Sequence, residues 1–431
     1  MLHTTPTVTI AGQPLPSWIE QSALTRSMAG YCETSTHGLT CKYPAILSHM
    51  GRLLVVLPRF YSVLEMNDER LRSAQQATIQ TLLTALREHR EYRRRSASAT
   101  EVELGMTTIG NPEGLLGVLE AALVLWRDFQ EHGPLLLPTK RTSPHVRGRI
   151  HWPRTFRESL QLQSGPNPIF INPIRTRLRL DGAHPLTRLH LQTCDDAARL
   201  LGWLPPSARG PRADRVHALD ILEGTRRTLA QDRHVRLWDE MYKFYSAQGR
   251  ASGETRTSLS GCVANSFPHI WERMLSTALA PELTMPLPRG WYEDMRGTEI
   301  SDGLKLEPDL LLEDDGKYFV LDAKDYALGS WPRTESIGKQ ILYRLFLSSE
   351  YQRGNLPLDR IFNAFLMPRA LDETSLVASI GRHRLPHDPR DLGGIVIVAM
   401  DFTTVAISYA RGRPDSKLRR ALLDAVVAVA P

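Results

Sequence analysis

The chain is predicted to fold as a mixed α/β protein (α+β in the way helices and sheet are combined), and three observations carry that expectation. Helical periodicities and short β-rich runs alternate along the sequence. An Asp315-Gly316 pair stands between two apolar runs. A two-residue type I′ turn needs positive φ at both central positions, so this pair signals a tight hairpin. Residues 262–410 then read as helix, hairpin, helix and further strands, the pattern of one sheet with helices packed on it.

In chain order, residues 1–110 form the first expected region. It opens with short apolar runs such as LLVVLPRFYSVL at 53–64, followed by a helix from Asp68 to Arg95 with Ile79, Leu82, Leu83 and Leu86 on one face. The middle region, 111–250, begins with an apolar helix from Pro112 to His132 and is expected to serve partner docking or DNA contact. Within it, KRTSPHVRGRIHWPRTFRESL (140–160) carries Arg147, Arg149 and Arg154 with Trp152 and Phe156 interleaved. Such a stretch can track a phosphate backbone while its aromatics stack, or it can be a solvated loop entering a helix. PNPIFINPIRTRLRLDG (166–182) alternates like a strand, and one long helical region is expected from Asp214 to Gln248. ASGETRTSLSG (251–261) reads as a boundary, after which 251–431 is expected to be one compact domain.

Composition narrows the function classes. A hydrophobic content of 42% and a charged content of 23% fit a soluble globular protein. The excess of 53 Lys+Arg over 47 Asp+Glu permits an anionic partner without requiring one. Four scattered cysteines give no disulfide framework, so a cytoplasmic setting is expected. Cys32-x4-His37-x3-Cys41 lacks a fourth zinc ligand at standard spacing. No signal peptide is expected from MLHTTPTVTIAGQPLPSW. No membrane span is expected either, since GLLGVLEAALVLW is short and broken by Glu120.

The candidate chemistry lies in EPDLLLEDDGKYFVLDAKDYA (307–327). With Asp315-Gly316 at the turn, Asp314 faces Lys317, Leu312 faces Phe319, Leu310 faces Leu321, and Asp309 lands opposite Asp322. Lys324 shares the face of Asp322 because side chains alternate along a strand. Directly opposed residues have Cβ atoms about 4.5–5.5 Å apart, where like charges destabilise. Such a pair either shares a proton or holds a divalent cation. Mg²⁺ suits the second case, being bound through one or two carboxylates with waters retained. Lys324 can then orient a water and offset charge on an attacked phosphate, which makes metal-assisted phosphodiester hydrolysis the reaction class. The plainer alternatives are a salt bridge from Lys324 to Asp322 or Asp325, and an Asp309 that merely ends a strand.

Pro308-Asp309 followed by Asp322-Ala323-Lys324 resembles the PD-(D/E)xK nuclease motif. That resemblance implies a C-terminal mixed sheet flanked by helices in the order α-β-β-β-α-β. It further implies Mg²⁺ (Mn²⁺ able to substitute) on Asp309 and Asp322, the Ala323 carbonyl as a further ligand, and Lys324 assisting the water. SFPHIWERMLSTAL (266–279) places Glu272 where many of these nucleases carry an extra acid, although Glu272 also fits a plain amphipathic helix. In SIGKQILYRLFLSSE (336–350), Gln340 and Tyr343 share a helical face and resemble the Gln/Tyr signature of RecB-like members, a DNA-contacting role that ordinary helix polarity explains as well. GRIHWPRTF together with FPHIWERML is similar to the LlaJI-type and McrC-like subunits of restriction systems. This resemblance implies an endonuclease acting on double-stranded DNA with a separate McrB-like AAA+ GTPase. The competing expectation is a non-cleaving subunit that activates such a GTPase through a nuclease-like fold.

Overall fold

The computed structural model describes residues 6–20, 30–35, 38–49, 52–61, 67–95, 105–109, 113–145, 147–164, 167–182, 184–203, 212–253, 259–281, 283, 291–292, 299–300, 308–327, 329–350, 356–371, 375–383 and 394–429. The fold is mixed α/β, with five-stranded and smaller sheets among its helices. The chain divides into two compact units, one built from Glu113–Glu254 and the other joining Thr5–Pro112 to Thr255–Pro431. The first and last of the three expected regions therefore share one unit.

The strand Ser260–Val263 shows why they do. It lies between Ala45–His49 and Thr107–Ile109 in a five-stranded sheet that also holds Thr7–Ile10 and Arg52–Leu57. All four of its residues are buried. Gly261 is needed there, because a Cβ would collide with the Ile46 carbonyl oxygen of the neighbouring strand. The boundary expected at 251–261 thus ends inside a sheet, and residues 254–258 of it lie outside the described residues. The helix Asp68–Arg95 packs on this sheet and buries Ile79, Leu82, Leu83 and Leu86, the face its periodicity predicts. Phe60, Phe267 and Phe402 cluster beside it, with 5.1 Å between the Phe60 and Phe402 rings, and tie early and late segments together.

The second five-stranded sheet has the order Leu310–Asp314, Lys317–Ala323, Ile361–Arg369, Ile395–Asp401, Val377–His383. Its inner pairings are parallel and both outer ones antiparallel. The helix Thr334–Glu350 crosses between the parallel strands and covers the face bearing Leu311, Val320 and Ile361. The C-terminal helix Ser416–Val429 packs on the same sheet, where Leu423 lies with Phe319 on the opposite face. Among the described residues, two strands precede the Thr334–Glu350 helix in this sheet. The short strand Glu299–Ile300 pairs separately with Trp291–Tyr292.

In the other unit, the helices Glu113–His132, Pro185–Leu200 and Asp232–Gly253 pack together. Buried Asp128 accepts hydrogen bonds from Arg233 (2.7 Å) and Arg236 (2.9 Å) between them. The helical region expected from Asp214 to Gln248 consists of two helices: Arg215–Thr225 ends in a 3-10 turn at Arg226–Thr228, and Asp232 starts a new helix. Thr225 Oγ caps back onto the Ile221 carbonyl at that break. The strand-like stretch at 166–182 is also two strands, Asn167–Ile171 and Arg175–Asp181, in different sheets. They are divided at Asn172, whose φ of 54° is a conformation asparagine tolerates. No described helix is long and apolar enough to cross a membrane. Cys32 and Cys41 face each other across a small hairpin, and His37 lies outside the described residues.

Candidate active site

The hairpin forms in the register its turn chemistry predicts. Asp315 (φ 51°) and Gly316 (φ 68°) make the turn, and the ladder runs from Asp314↔Lys317 to Leu310↔Leu321. Asp309 follows the last paired residue. Its carboxylate closes the hairpin end differently from a ladder pair, with Oδ2 accepting the Ala323 N–H at 2.6 Å. Asp322 is the neighbour of Ala323 and is buried. Lys324 forms an ion pair with Asp322, not with Asp325. The Lys324 N–H donates to the Leu366 carbonyl (2.9 Å), which also accepts the Trp271 indole N–H (3.0 Å). That shared carbonyl fastens the Phe267–Leu279 helix to the strand end and brings Glu272, next to Trp271, beside the hairpin acids.

Electrostatics show that these groups sense one another. Burial, reinforced by the charges of Asp322 and Glu272, pushes the Asp309 carboxyl up to about 8, against the pull of the Ala323 N–H and Lys324. Burial also raises Glu272, with His269 and Lys324 partly offsetting it. Burial alone would lower Lys324, but the carboxylates of Asp322 and Asp309 outweigh it and hold the ammonium above its ordinary value. Three acids and one lysine thus share a poorly solvated corner.

The donor set fits a hard divalent cation in kind, since all three side chains offer carboxylate oxygens and Asp309 carries repulsion that a cation would relieve. Among the described residues no three His, Cys, Asp or Glu side chains form a finished cage. Mg²⁺ does not require one, as it commonly takes one or two carboxylates plus waters.

A family model for the LlaJI restriction endonuclease matches residues 43–401. The chain belongs to the LlaJI restriction endonuclease family. Among solved structures it aligns with a half-complex from a tetradecameric assembly of Thermococcus gammatolerans McrB AAA+ hexamers with bound McrC. The identity is 15%, over 91% of this chain and 88% of that chain, with a TM-score of 0.32, a likeness too loose to argue from. No curated protein matches.

The remaining candidates of this LlaJI-family chain lie elsewhere. Gln340 is fully buried, and its backbone and side-chain oxygens accept hydrogen bonds from Asn363 Nδ2 (2.9 and 2.7 Å). Tyr343 is packed in the core with Leu311, Val320 and Leu347. Their shared helical face points inward, so the expected DNA contact by Gln340 and Tyr343 is corrected to a core role. Arg147, Arg149 and Arg154 are exposed in the Glu113–Glu254 unit, where Arg154 pairs with Glu158 at 2.7 Å. Next to them Trp152 and Phe156 stand in water, with Phe156 4.9 Å from Phe170.

Sequence reasoning missed Arg59 and His269. Arg59 Nη2 donates to the Asp325 carbonyl at 2.6 Å and lies 3.5 Å from its carboxylate. Burial raises Asp325 to about 6, with Arg59 and Arg369 opposing that rise. A contact between residues 266 positions apart leaves no local signal. His269, three residues before Glu272 on the same helix face, was legible from spacing.

Proposed function

We propose that this LlaJI-family chain is the DNA-cutting subunit of a bacterial restriction and anti-phage system. In this reading it is a cytoplasmic, Mg²⁺-dependent endodeoxyribonuclease of PD-(D/E)xK type, hydrolysing phosphodiester bonds in double-stranded DNA with an McrB-like AAA+ GTPase. The observation that carries it is the convergence of Asp309, Asp322, Glu272 and Lys324 at one hairpin end, where Lys324 pairs with Asp322 and the Ala323 N–H holds Asp309.

Asp309 and Asp322 would hold the cation, with the Ala323 carbonyl as a further oxygen and Glu272 completing the shell. When bound, Mg²⁺ (or Mn²⁺ in its place) supplies Lewis-acid polarisation of the phosphate and a more acidic water. The Ala323 N–H pins one oxygen of Asp309 and leaves the other for ligation. Lys324, with three N–H donors, orients the attacking water and offsets charge that builds on the phosphate. The partner reading is supported by an exposed apolar face, including Phe156, Leu160 and Ile169, on the Glu113–Glu254 unit.

The test is plasmid cleavage with Mg²⁺, with and without the GTPase partner and GTP. Wild type is expected to cut, and Asp322→Ala and Lys324→Ala to lose at least about 100-fold in rate while remaining folded. Equal cutting by the variants sinks the proposal. No cutting in any lane, with partner GTP hydrolysis still stimulated, favours the second reading of a non-cleaving activator. The Lys324–Asp322 ion pair is the observation on its side, because it keeps that acid engaged.

A further inference from the structure

A cavity of about 260 Å³ opens on the same sheet, away from the acids. Its floor is apolar, formed by Phe365, Ile397 and Ile337, and its rim carries Trp331, Arg382 and His383. None of the described residues lining it is acidic. Trp331 is 53% exposed, an unusual setting for an indole unless something covers it.

The placement is specific. Asp322 pairs with Phe365, Phe365 with Ile397, and Ile397 with Gly381, so the four residues form one row across the sheet with their side-chain directions on one face. A bulge between Ser379 and Gly381 re-phases the edge strand, returning Gly381 and His383 to this face. Gly381 lies under the indole, where a Cβ would stand 3.1 Å from Trp331 and 3.5 Å from Ile397, so a larger side chain would crowd the recess. Three strand spacings separate Asp322 from Gly381, about 14 Å. Along a DNA strand that distance is about four nucleotides.

We infer that this cavity receives one unpaired nucleobase of the DNA, stacked on Trp331 over the Phe365–Ile397 floor, with His383 at its rim toward the flanking phosphate. The inference rests on the nuclease reading above. A recess of this size takes one ring system and not a base pair, so the base must leave the duplex to enter. Unpairing costs a few kcal/mol in a matched duplex and little where the base is already unpaired. Stacking on an aromatic side chain recovers energy without regard to base identity. An apolar floor beneath an exposed indole is matched to the flat face of a nucleobase.

The experiment measures binding of the full chain, without divalent ions, to three short duplexes of one sequence. One is fully paired, one carries a single mismatched thymine, and one is abasic on both strands at that position, leaving no base there to enter. Wild type is expected to bind the mismatched duplex about tenfold tighter than the paired one, and the abasic duplex without that gain. Trp331→Ala, which removes the platform, and Gly381→Val, which fills the recess, should each bring the preference to within about twofold while binding the paired duplex like wild type. Trp331→Ala alters an exposed side chain, so the test survives if Gly381→Val folds poorly. A wild-type preference near one, an equal gain for the abasic duplex, or variants that keep the preference would each overturn the inference. If wild type cuts plasmid but shows no preference, this inference alone falls. If it neither binds nor cuts DNA, the nuclease reading falls and takes this one with it.

Discussion

Acid should loosen the Glu113–Glu254 unit through one histidine. His190 is fully buried, its Nδ1 accepts the Leu135 N–H at 3.2 Å, and Cys194 Sγ lies 3.6 Å from its Nε2. An Nδ1 that accepts cannot carry a proton, so the folded ring is neutral with its hydrogen on Nε2. Burial pushes its pKa down from 6.5 to about 4, Arg233 adding to the effect and Asp128 opposing it. The unfolded chain therefore binds more protons than the folded one in that window. The contribution is fully present above about pH 6.5 and is lost as pH falls through about 4, in total about 3 kcal/mol. Between about pH 7.5 and 5.5 this histidine should remove about 1.4 kcal/mol, while Asp309 and Asp325 of the other unit, raised to about 8 and about 6, act in the opposite sense and are common to wild type and variant. Urea unfolding followed by tryptophan emission suits the measurement, since Trp126 stacks on Phe129 and Phe129 lies 6.1 Å from the His190 ring. His190→Gln should be less stable at the upper pH but lack that part of the acid dependence. A variant that loses stability with pH as steeply as wild type would refute the reasoning.

Three further outcomes are expected. Mg²⁺ should raise the melting temperature of wild type but not of Asp309→Asn, as followed by calorimetry with and without chelator, because the variant offers one ligand fewer and no repulsion to relieve. Arg59→Met should cost about 1–2 kcal/mol in denaturant unfolding, since Asp325 is buried and loses a charged donor, and cutting should weaken with it. Gly261→Ala should fail to give soluble folded protein on expression, because the Ile46 carbonyl occupies the space its Cβ needs and backbone cannot move aside cheaply.

The hairpin acids were legible because everything that places them is local. Turn chemistry at Asp315-Gly316 sets the register, alternation sets the face, and neither depends on distant residues. Gln340 and Tyr343 were misread for the complementary reason. Helical spacing says which residues share a face, but only packing against Asn363 and Val320 says that this face is the buried one. The strand Ser260–Val263, which overlaps the end of the boundary expected at 251–261, was not legible because a short strand of small residues has no periodicity to detect.

By itself, the sequence determined the helices flanking the hairpin, the hairpin register and the meeting of Asp309 with the Asp322–Lys324 strand end. These follow from φ preferences and side-chain periods over a few residues. Only the tertiary structure decided that residues 5–112 complete the unit carrying the site, that Arg59 guards Asp325, and that Trp331 stands over a cavity in register with Asp322. Those contacts join segments far apart in the chain. Their partners are selected by burial and shape once the sheets assemble, and no local pattern encodes them.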